Sequence, residues 1–395
     1  MSKTEEFFKR LFKKYYQSNE LSNISEFNKR EFGIVYWEYP KWEKGFWKRY
    51  LQFKNVKELQ KHILNMNSPP TDVYFSSCIY ENPSERKNYK WADIPIEFDL
   101  DDFYKCSEDH YSEDNPNGND LFCDTCYKVI KENAVKLKNI LLNDFGINKK
   151  DIQVKFSGHR GMHFRIINQK ARSLSNTERR KIVHYMNGKN VIAKKLGFYV
   201  TKNDNGKFEW NGPNPKQSGW KGRSCKAIAE WLKGKEYDDL KEVISKKGAK
   251  ALSENKDNFQ IAKKGKWDYV FPENVYPKDV QKIVKKSCEK YLPEIDAKVA
   301  IDTKRVFRFP NSAHHYGLVA KPIDIDSIKD FNVWEEACLY ENPNHKVKIK
   351  LIKDLPSIKM NGEKYSGKKG DIIEKISISP ASNLISKSYA KIVNA

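Results

Sequence analysis

At 395 residues and 39% hydrophobic content, the chain can build one large domain or two modest ones and fill a core, which excludes global disorder. Lysine and arginine number 73 against 52 aspartates and glutamates, a formal net charge of +21; a surplus that large favours a polyanionic partner, the plain alternative being a solvated lysine-rich surface. No apolar run is long enough to span a membrane, the first residues lack the apolar core of a signal peptide, and seven cysteines are a poor basis for a disulfide framework, so the expectation is an intracellular protein with no membrane contact.

In chain order, residues 4–17 read as an amphipathic helix with Phe7, Phe8, Leu11, Phe12 and Tyr15 on one stripe. Aromatic residues between Arg30 and Tyr50 and the alternation around Val73–Cys78 predict strands, and residues 94–101 predict another. Residues 105–127 form a polar loop, followed by a helix from Tyr127 to Asp144. Ile152, Val154 and Phe156, then Met162, Phe164 and Ile166, alternate with polar residues across a turn and predict a hairpin with one apolar face. Ser175-Asn176-Thr177-Glu178 is a capping box that opens a helix. Residues 172–292 read as a mostly helical basic insertion between 1–171 and 293–355, and 356–395 as a loosely ordered polar tail. Trp210, Trp220, Trp231 and Trp267 stand among lysines; they suit stacking on single-stranded bases, but a small helical core is preferred for most of them.

Four short segments carry chemistry. On a strand over 94–101, Glu97, Asp99 and Asp101 share a face, and Asp99 with Asp101 can bridge two hard cations about 3.5–4 Å apart. The same pattern suits an acidic strand end facing water. The turn Ser157-Gly158-His159-Arg160-Gly161-Met162-His163 combines glycines with donors: Ser157, His159 and Arg160 can bond phosphate oxygens, and His163 joins the candidates. A plain polar hairpin turn is the alternative. Asp296 is a third candidate carboxylate, followed by Arg305, Arg308 and His314, with Arg308 and His314 suited to β- and γ-phosphates; ordinary surface charge is the bland reading. Cys106, His110, Cys123 and Cys126, spaced C-x3-H-x12-C-x2-C, suit a closed, structural tetrahedral Zn²⁺ site, the alternative being unrelated thiols in a loop. Paired carboxylates for two metals beside a basic pocket for a triphosphate are what nucleotidyl transfer needs.

These segments resemble the small, catalytic subunit of archaeal and eukaryotic DNA primase, of the archaeo-eukaryotic primase superfamily. The resemblance spans roughly 28–170 and 275–325. It rests on Arg30-Glu31-Phe32-Gly33, Tyr74-Phe75-Ser76-Ser77, Tyr80-Glu81-Asn82-Pro83, Phe98-Asp99-Leu100-Asp101, the zinc ligands, Ser157–His163, and Asp296 to His314. It implies an α+β primase-polymerase fold with two antiparallel sheet layers flanked by helices, and a zinc knuckle beside the active site. It implies a Mg²⁺ or Mn²⁺ triad of Asp99, Asp101 and Asp296, and triphosphate contacts from Ser157, His159, Arg160, Arg308 and His314. One departure is visible. Many archaeal members follow the last histidine with Gly-Lys-Thr-Gly, whereas here it is His315-Tyr316-Gly317-Leu318.

The expected function is synthesis of short primers from nucleoside triphosphates on single-stranded DNA, as an RNA-polymerase-type nucleotidyltransferase. The resemblance implies a large-subunit partner carrying an iron–sulfur cluster, and a cytoplasmic or nucleoid location if archaeal, nuclear if eukaryotic. The rivals are a primase-like polymerase that extends existing ends in repair, and a non-catalytic zinc protein that binds nucleic acid.

Overall fold

The computed structural model describes residues 3–36, 46–102, 104, 106, 121–202, 204–206, 208–255 and 257–394. The chain divides into two compact units. One comprises Met1–Val135, Asn148–Arg180 and Glu294–Ala395, the other Lys136–Ile147 and Lys181–Pro293.

The first unit is α+β and is built on two four-stranded antiparallel sheets. One has the order Val306–Arg308, Asp72–Ser76, Phe32–Val35, Trp47–Leu51. The other runs Pro322–Ile323, Ile152–Phe156, Gly161–Ile166, Ile94–Asp99. In the second sheet Glu97 and Lys155 both lie opposite His163, and Asp99 lies opposite Gly161. Side chains two apart share a face. Ile96, Phe98, Val154, Phe156, Met162 and Phe164 therefore share the apolar side and are all buried. Glu97, Asp99, Lys155, His163 and Arg165 line the other side.

The first sheet turns rings toward that charged side. Lys155 Nζ lies 5.7 Å from the Phe75 ring centre and 5.5 Å from that of Phe307, and the Arg165 guanidinium lies 4.8 Å from Phe75. Each such contact contributes about 0.5–2 kcal/mol and lets cations stay buried between sheets.

Asp93, just before strand Ile94–Asp99, anchors the charged layer. Arg30, Arg165 and Arg172 reach its carboxylate at 2.9, 3.1 and 2.7 Å. Burial opposes ionisation of Asp93, but the three guanidiniums outweigh it and hold the carboxyl below its usual range.

Helix Lys3–Ser18 buries Phe7, Phe8, Leu11, Phe12 and Tyr15 as its stripe predicts, and Tyr16 as well. Tyr15 donates to the Asn311 carbonyl at 3.0 Å, and the Tyr16 hydroxyl accepts from Ala313 N–H at 3.1 Å. The N-terminus thus fixes the loop that leads to His314.

The segment after Pro356 corrects the expectation of a loosely ordered tail. Strands Ile372–Ser377, Lys346–Leu351 and Ala390–Asn394 form a sheet, Leu355–Met360 pairs with Glu363–Gly367, and Ile378–Ser386 is a helix. Its serines mislead by composition: Ser379, Ser382 and Ser386 are buried with Leu384 and Ile385, being small enough to pack closely.

In the second unit, Trp210, Trp220 and Trp267 are buried, as a small core requires, with Trp267 stacked on Phe271 at 5.7 Å. The unit is mostly helical, with one hairpin of Tyr199–Lys202 and Phe208–Asn211. It includes residues upstream of the expected 172–292: Arg223 grips Asp144 at 2.6 and 2.8 Å, and Tyr185 donates to Asp144 at 2.9 Å.

Removing a carboxylate that holds three buried arginines leaves uncompensated charge. Asp93→Ala is expected to cost about 3–5 kcal/mol. Urea unfolding followed by circular dichroism measures this; a loss under about 1 kcal/mol would contradict the anchoring role.

Candidate active site

Strand Ile94–Asp99 ends at Asp99, and Leu100–Asp102 forms a 3₁₀ turn. Leu100 N–H donates to the Arg160 carbonyl at 3.2 Å. This corrects the expectation that Asp101 continues the strand face. Asp101 is instead exposed, with its carboxylate 2.6 Å from the buried Arg160 guanidinium. Asp99 lies at the strand end, 4.0 Å from His159 Nδ1. Asp296 joins them through the backbone: its N–H donates to the Glu97 carbonyl at 2.8 Å. Its side chain accepts from Lys298 and Val299 N–H, at 2.8 and 3.2 Å, capping helix Ala297–Ile301 against the strand. The three carboxylates border one strand end, but their oxygens do not converge within 4.8 Å as a closed set of ligands.

The turn between Ile152–Phe156 and Gly161–Ile166 is organised by Ser157, whose hydroxyl accepts from His159 and Gly161 N–H, each at 3.1 Å. Gly158 has φ +84°, and a Cβ there would meet His314 Cβ at 2.8 Å, so only glycine lets the turn approach the His314 loop. His159 and His314 consequently stack, their ring centres 5.7 Å apart, and Tyr316 lies 4.1 Å from His159.

Arg308 and His314 gather around a carboxylate that the motifs do not contain, Asp72. Arg308 Nη1 donates to Asp72 Oδ1, His315 Nδ1 lies 2.8 Å from Oδ2, and His314 Nδ1 lies 3.9 Å from Oδ1. Asp72, His314 and His315 lie close enough to hold a cation. However, Arg308 already meets the Asp72 charge. Burial opposes ionisation of Asp72, but His315 and Arg308 outweigh it and hold its carboxyl below the usual range. Arg305 reaches Glu97 at 3.5 Å from a more exposed position, and His163 Nδ1 lies 3.6 Å from Glu97. Lys155 Nζ donates to the Arg308 carbonyl and so ties the two sheets together at the site.

Burial and surrounding cations push all three histidines of the motifs well below the ordinary imidazole value. Lys387 and Arg160 add to burial at His159, Lys155 and Arg308 at His163, and Arg308 and His315 at His314. They are therefore neutral at pH 7. Tyr316 N–H donates to His314 Nδ1 at 2.9 Å, which places the remaining proton on Nε2. Burial raises the Glu97 carboxyl, opposed by Arg305 and Lys155.

Cys106, Cys123 and Cys126 are buried with their sulfurs within 4.8 Å of one another, Cys106 and Cys123 being 3.6 Å apart. Cys126 N–H donates to Cys123 Sγ at 3.3 Å. Three thiols in this arrangement fit a tetrahedral zinc site; His110 lies outside the described residues.

The sequence model for the DNA primase small subunit matches residues 98–325, more than half of the chain. The chain belongs to the DNA primase small subunit family. The DNA primase small subunit of Methanococcoides burtonii is 27% identical over 91% of this chain and 92% of its own length. That of Methanocaldococcus jannaschii is 28% identical over 91% of each, and that of Nitrosopumilus maritimus 30% identical over 79% of this chain and 80% of its own. The family's matched span begins next to Asp99 and runs past His314, so it contains the Ser157–His163 turn, the Arg305–His314 segment and all three candidate carboxylates. Among the described residues, no helix is long and apolar enough to cross a membrane.

The neutral His314 makes stability pH-dependent with a definite sign. The unfolded imidazole takes a proton near pH 6.5, the folded one only at lower pH, so stability falls as pH drops below about 6.5, by up to about 1.4 kcal/mol per pH unit for each such histidine. Glu97, with its raised value, acts in the opposite direction. Urea midpoints at pH 7.5 and 5.5 for wild type and His314→Gln isolate the effect: the variant should show the smaller drop, and equal drops would contradict a buried neutral His314.

Proposed function

We propose that this chain is the catalytic subunit of a primase, joining nucleoside triphosphates into short primers on single-stranded DNA with release of pyrophosphate. The observation that carries the reading is a pair of buried donors. Arg160 Nε and Arg308 Nε have no acceptor among the described residues, and both lie on segments beside the candidate carboxylates. A buried guanidinium N–H without an acceptor costs stability unless an oxyanion meets it.

The residues fit the roles. Asp99, Asp101 and Asp296 offer the oxygen donors that Mg²⁺ or Mn²⁺ prefers. Bound there, two such ions would supply Lewis acidity, favouring ionisation of the attacking 3′-hydroxyl and offsetting charge on the leaving pyrophosphate. Arg160 orients Asp101 and offers its remaining donors to phosphate. Arg308, on the opposite sheet and held in place by Asp72, offers its Nε to phosphate. His159, His163 and His314, being neutral, can donate to phosphate oxygens without adding to the charge that Arg160, Arg305 and Arg308 already crowd together. Ser157 holds the turn in the shape that aims these donors.

The family's designation as a small subunit supports a large-subunit partner, which we take to carry an iron–sulfur cluster and to assist initiation. Zn²⁺ held by Cys106, Cys123, Cys126 and His110 would tie the polar loop to helix Asp124–Asn143. Cys123→Ser should reduce bound zinc, read by atomic emission after dialysis, and lower the melting temperature; a full zinc complement in the variant would remove the site.

The decisive assay uses circular single-stranded DNA, labelled ATP with the other nucleotides, and Mg²⁺ or Mn²⁺, with the large subunit absent and present. Asp101→Asn removes a ligand but little volume, so synthesis should fall by at least about a thousandfold while DNA binding and melting temperature stay near wild type. Labelled products on unprimed template support a primase. Products only on a primed template, even with the large subunit, would reassign the chain as an extending polymerase.

A further inference from the structure

The segment Arg30-Glu31-Phe32-Gly33 supplies nothing to the triphosphate cluster, yet two of its residues build an exposed aromatic platform on the same sheet as Arg308. Glu31 is buried, and its carboxylate accepts from Arg49 Nε at 2.9 Å and from Arg86 Nε and Nη2 at 2.7 and 3.1 Å. Both guanidiniums then meet rings. Arg49 lies 4.9 Å from the Trp47 ring centre and 5.9 Å from that of Tyr50, and Arg86 lies 4.8 Å from Tyr50. Trp47 and Tyr50 nevertheless stay exposed. Tyr50, in the edge strand Trp47–Leu51, has φ +64°, a left-handed conformation that a tyrosine adopts only at a cost. Gly33 serves the other ring. A Cβ there would meet Trp47 Nε1 at 2.7 Å, so a side chain at this position would displace the indole. With glycine in place, Trp47 reaches Tyr74, their ring centres 5.5 Å apart. Tyr74 is paired with Gly33 on one side and Arg308 on the other, and the Arg308 guanidinium lies 5.2 Å from its ring. A continuous row of side chains thus runs from Arg308 in the candidate active site through Tyr74 and Trp47 to Tyr50 at the sheet edge.

We propose that Trp47 and Tyr50 form a stacking platform for the bases of single-stranded DNA, holding the template beside the incoming nucleotide. The inference rests on the primase reading above. Exposed rings set among Arg49, Arg86 and the exposed Lys48 and Lys54 suit a polyanion with unpaired bases: the rings stack on bases of any sequence, and the cations meet the backbone. The buried Glu31 carboxylate is shared by two arginines, which leaves the cluster cationic. Arg49 Nη2 is buried with no acceptor among the described residues, so the platform carries a donor that a phosphate oxygen would satisfy. The row through Tyr74 to Arg308 gives the bound strand a course toward the site of chemistry. The four-residue segment thereby acquires a role: Glu31 fixes the cations and Gly33 makes room for the ring.

The test is fluorescence anisotropy with labelled oligo-dT and with an abasic strand of the same length, using the full chain alone and with the large subunit. Wild type should bind oligo-dT more tightly than the abasic strand, because only bases stack. Tyr50→Ala and Trp47→Ala should each weaken oligo-dT binding about tenfold and leave the abasic strand's affinity unchanged. Tyr50→Phe, which keeps the ring, should retain the preference. Tyr50→Leu, which keeps apolar bulk without a stacking plane, replaces Tyr50→Ala if melting curves show that the alanine variant is unfolded. No base preference in wild type, an equal loss on both strands, or wild-type oligo-dT affinity in a folded variant lacking the ring would overturn the proposal. Loss of large-subunit binding with DNA affinity intact would overturn it in favour of a protein interface. Failure of wild type to extend any primer would instead count against the primase reading, and the comparison of oligo-dT with the abasic strand would still decide the role of the platform.

Discussion

Buried charge between two sheets is the constraint that the site depends on. The inner side of the sheet containing Ile94–Asp99 carries Lys155, His163 and Arg165, and no apolar surface could cover them without cost. The chain answers with carboxylates and rings. Asp93 holds Arg30, Arg165 and Arg172, Asp72 holds Arg308, and Glu97 faces Arg305 and His163. Phe75 and Phe307 cover the cations from the opposite sheet. Most of these buried charged groups are thereby fixed by more than one partner, which is what aims donors in advance.

The same layer is graded along its strands. At the Asp93 end the arginines are enclosed, and their role is to lock the sheets. At the Asp99 end Asp101 is exposed with its carboxylate 2.6 Å from Arg160, and Arg160 and Arg308 each keep an Nε without an acceptor among the described residues. Helix Ala297–Ile301 bridges this gradient, since Asp296 both caps the helix and bonds the backbone of Glu97. A carboxylate occupied as a cap is held in orientation while still offering a second oxygen.

How much of this was legible follows from which forces are local. The hairpin 152–166 and the N-terminal helix were readable because alternation and a 3.6-residue stripe are short-range patterns, and the glycines of Ser157–His163 signalled a turn. The placement of Asp101 was misread because alternation predicts a face only while the strand lasts, and Leu100 leaves the strand to bond Arg160. Asp72 gave no signal: its partner His315 lies 243 positions away, and an Asp at the start of an apolar strand looks like a surface residue. The segment 356–395 was misread because averaged composition hides alternation; Ile358, Met360, Tyr365 and Ile376 are buried between exposed lysines and glutamates.

A neutral histidine cluster beside three arginines has a further physical consequence. If His159, His163 and His314 were charged, they would add to the repulsion among Arg160, Arg305 and Arg308. Kept neutral by burial and by their cationic neighbours, they are donors that do not raise the cost of folding. Any polyanion held beside these rings would oppose the cations that lower their proton affinity. The turn at Gly158 brings His159 against the loop at His314, so their neutrality is set by the same cationic surroundings.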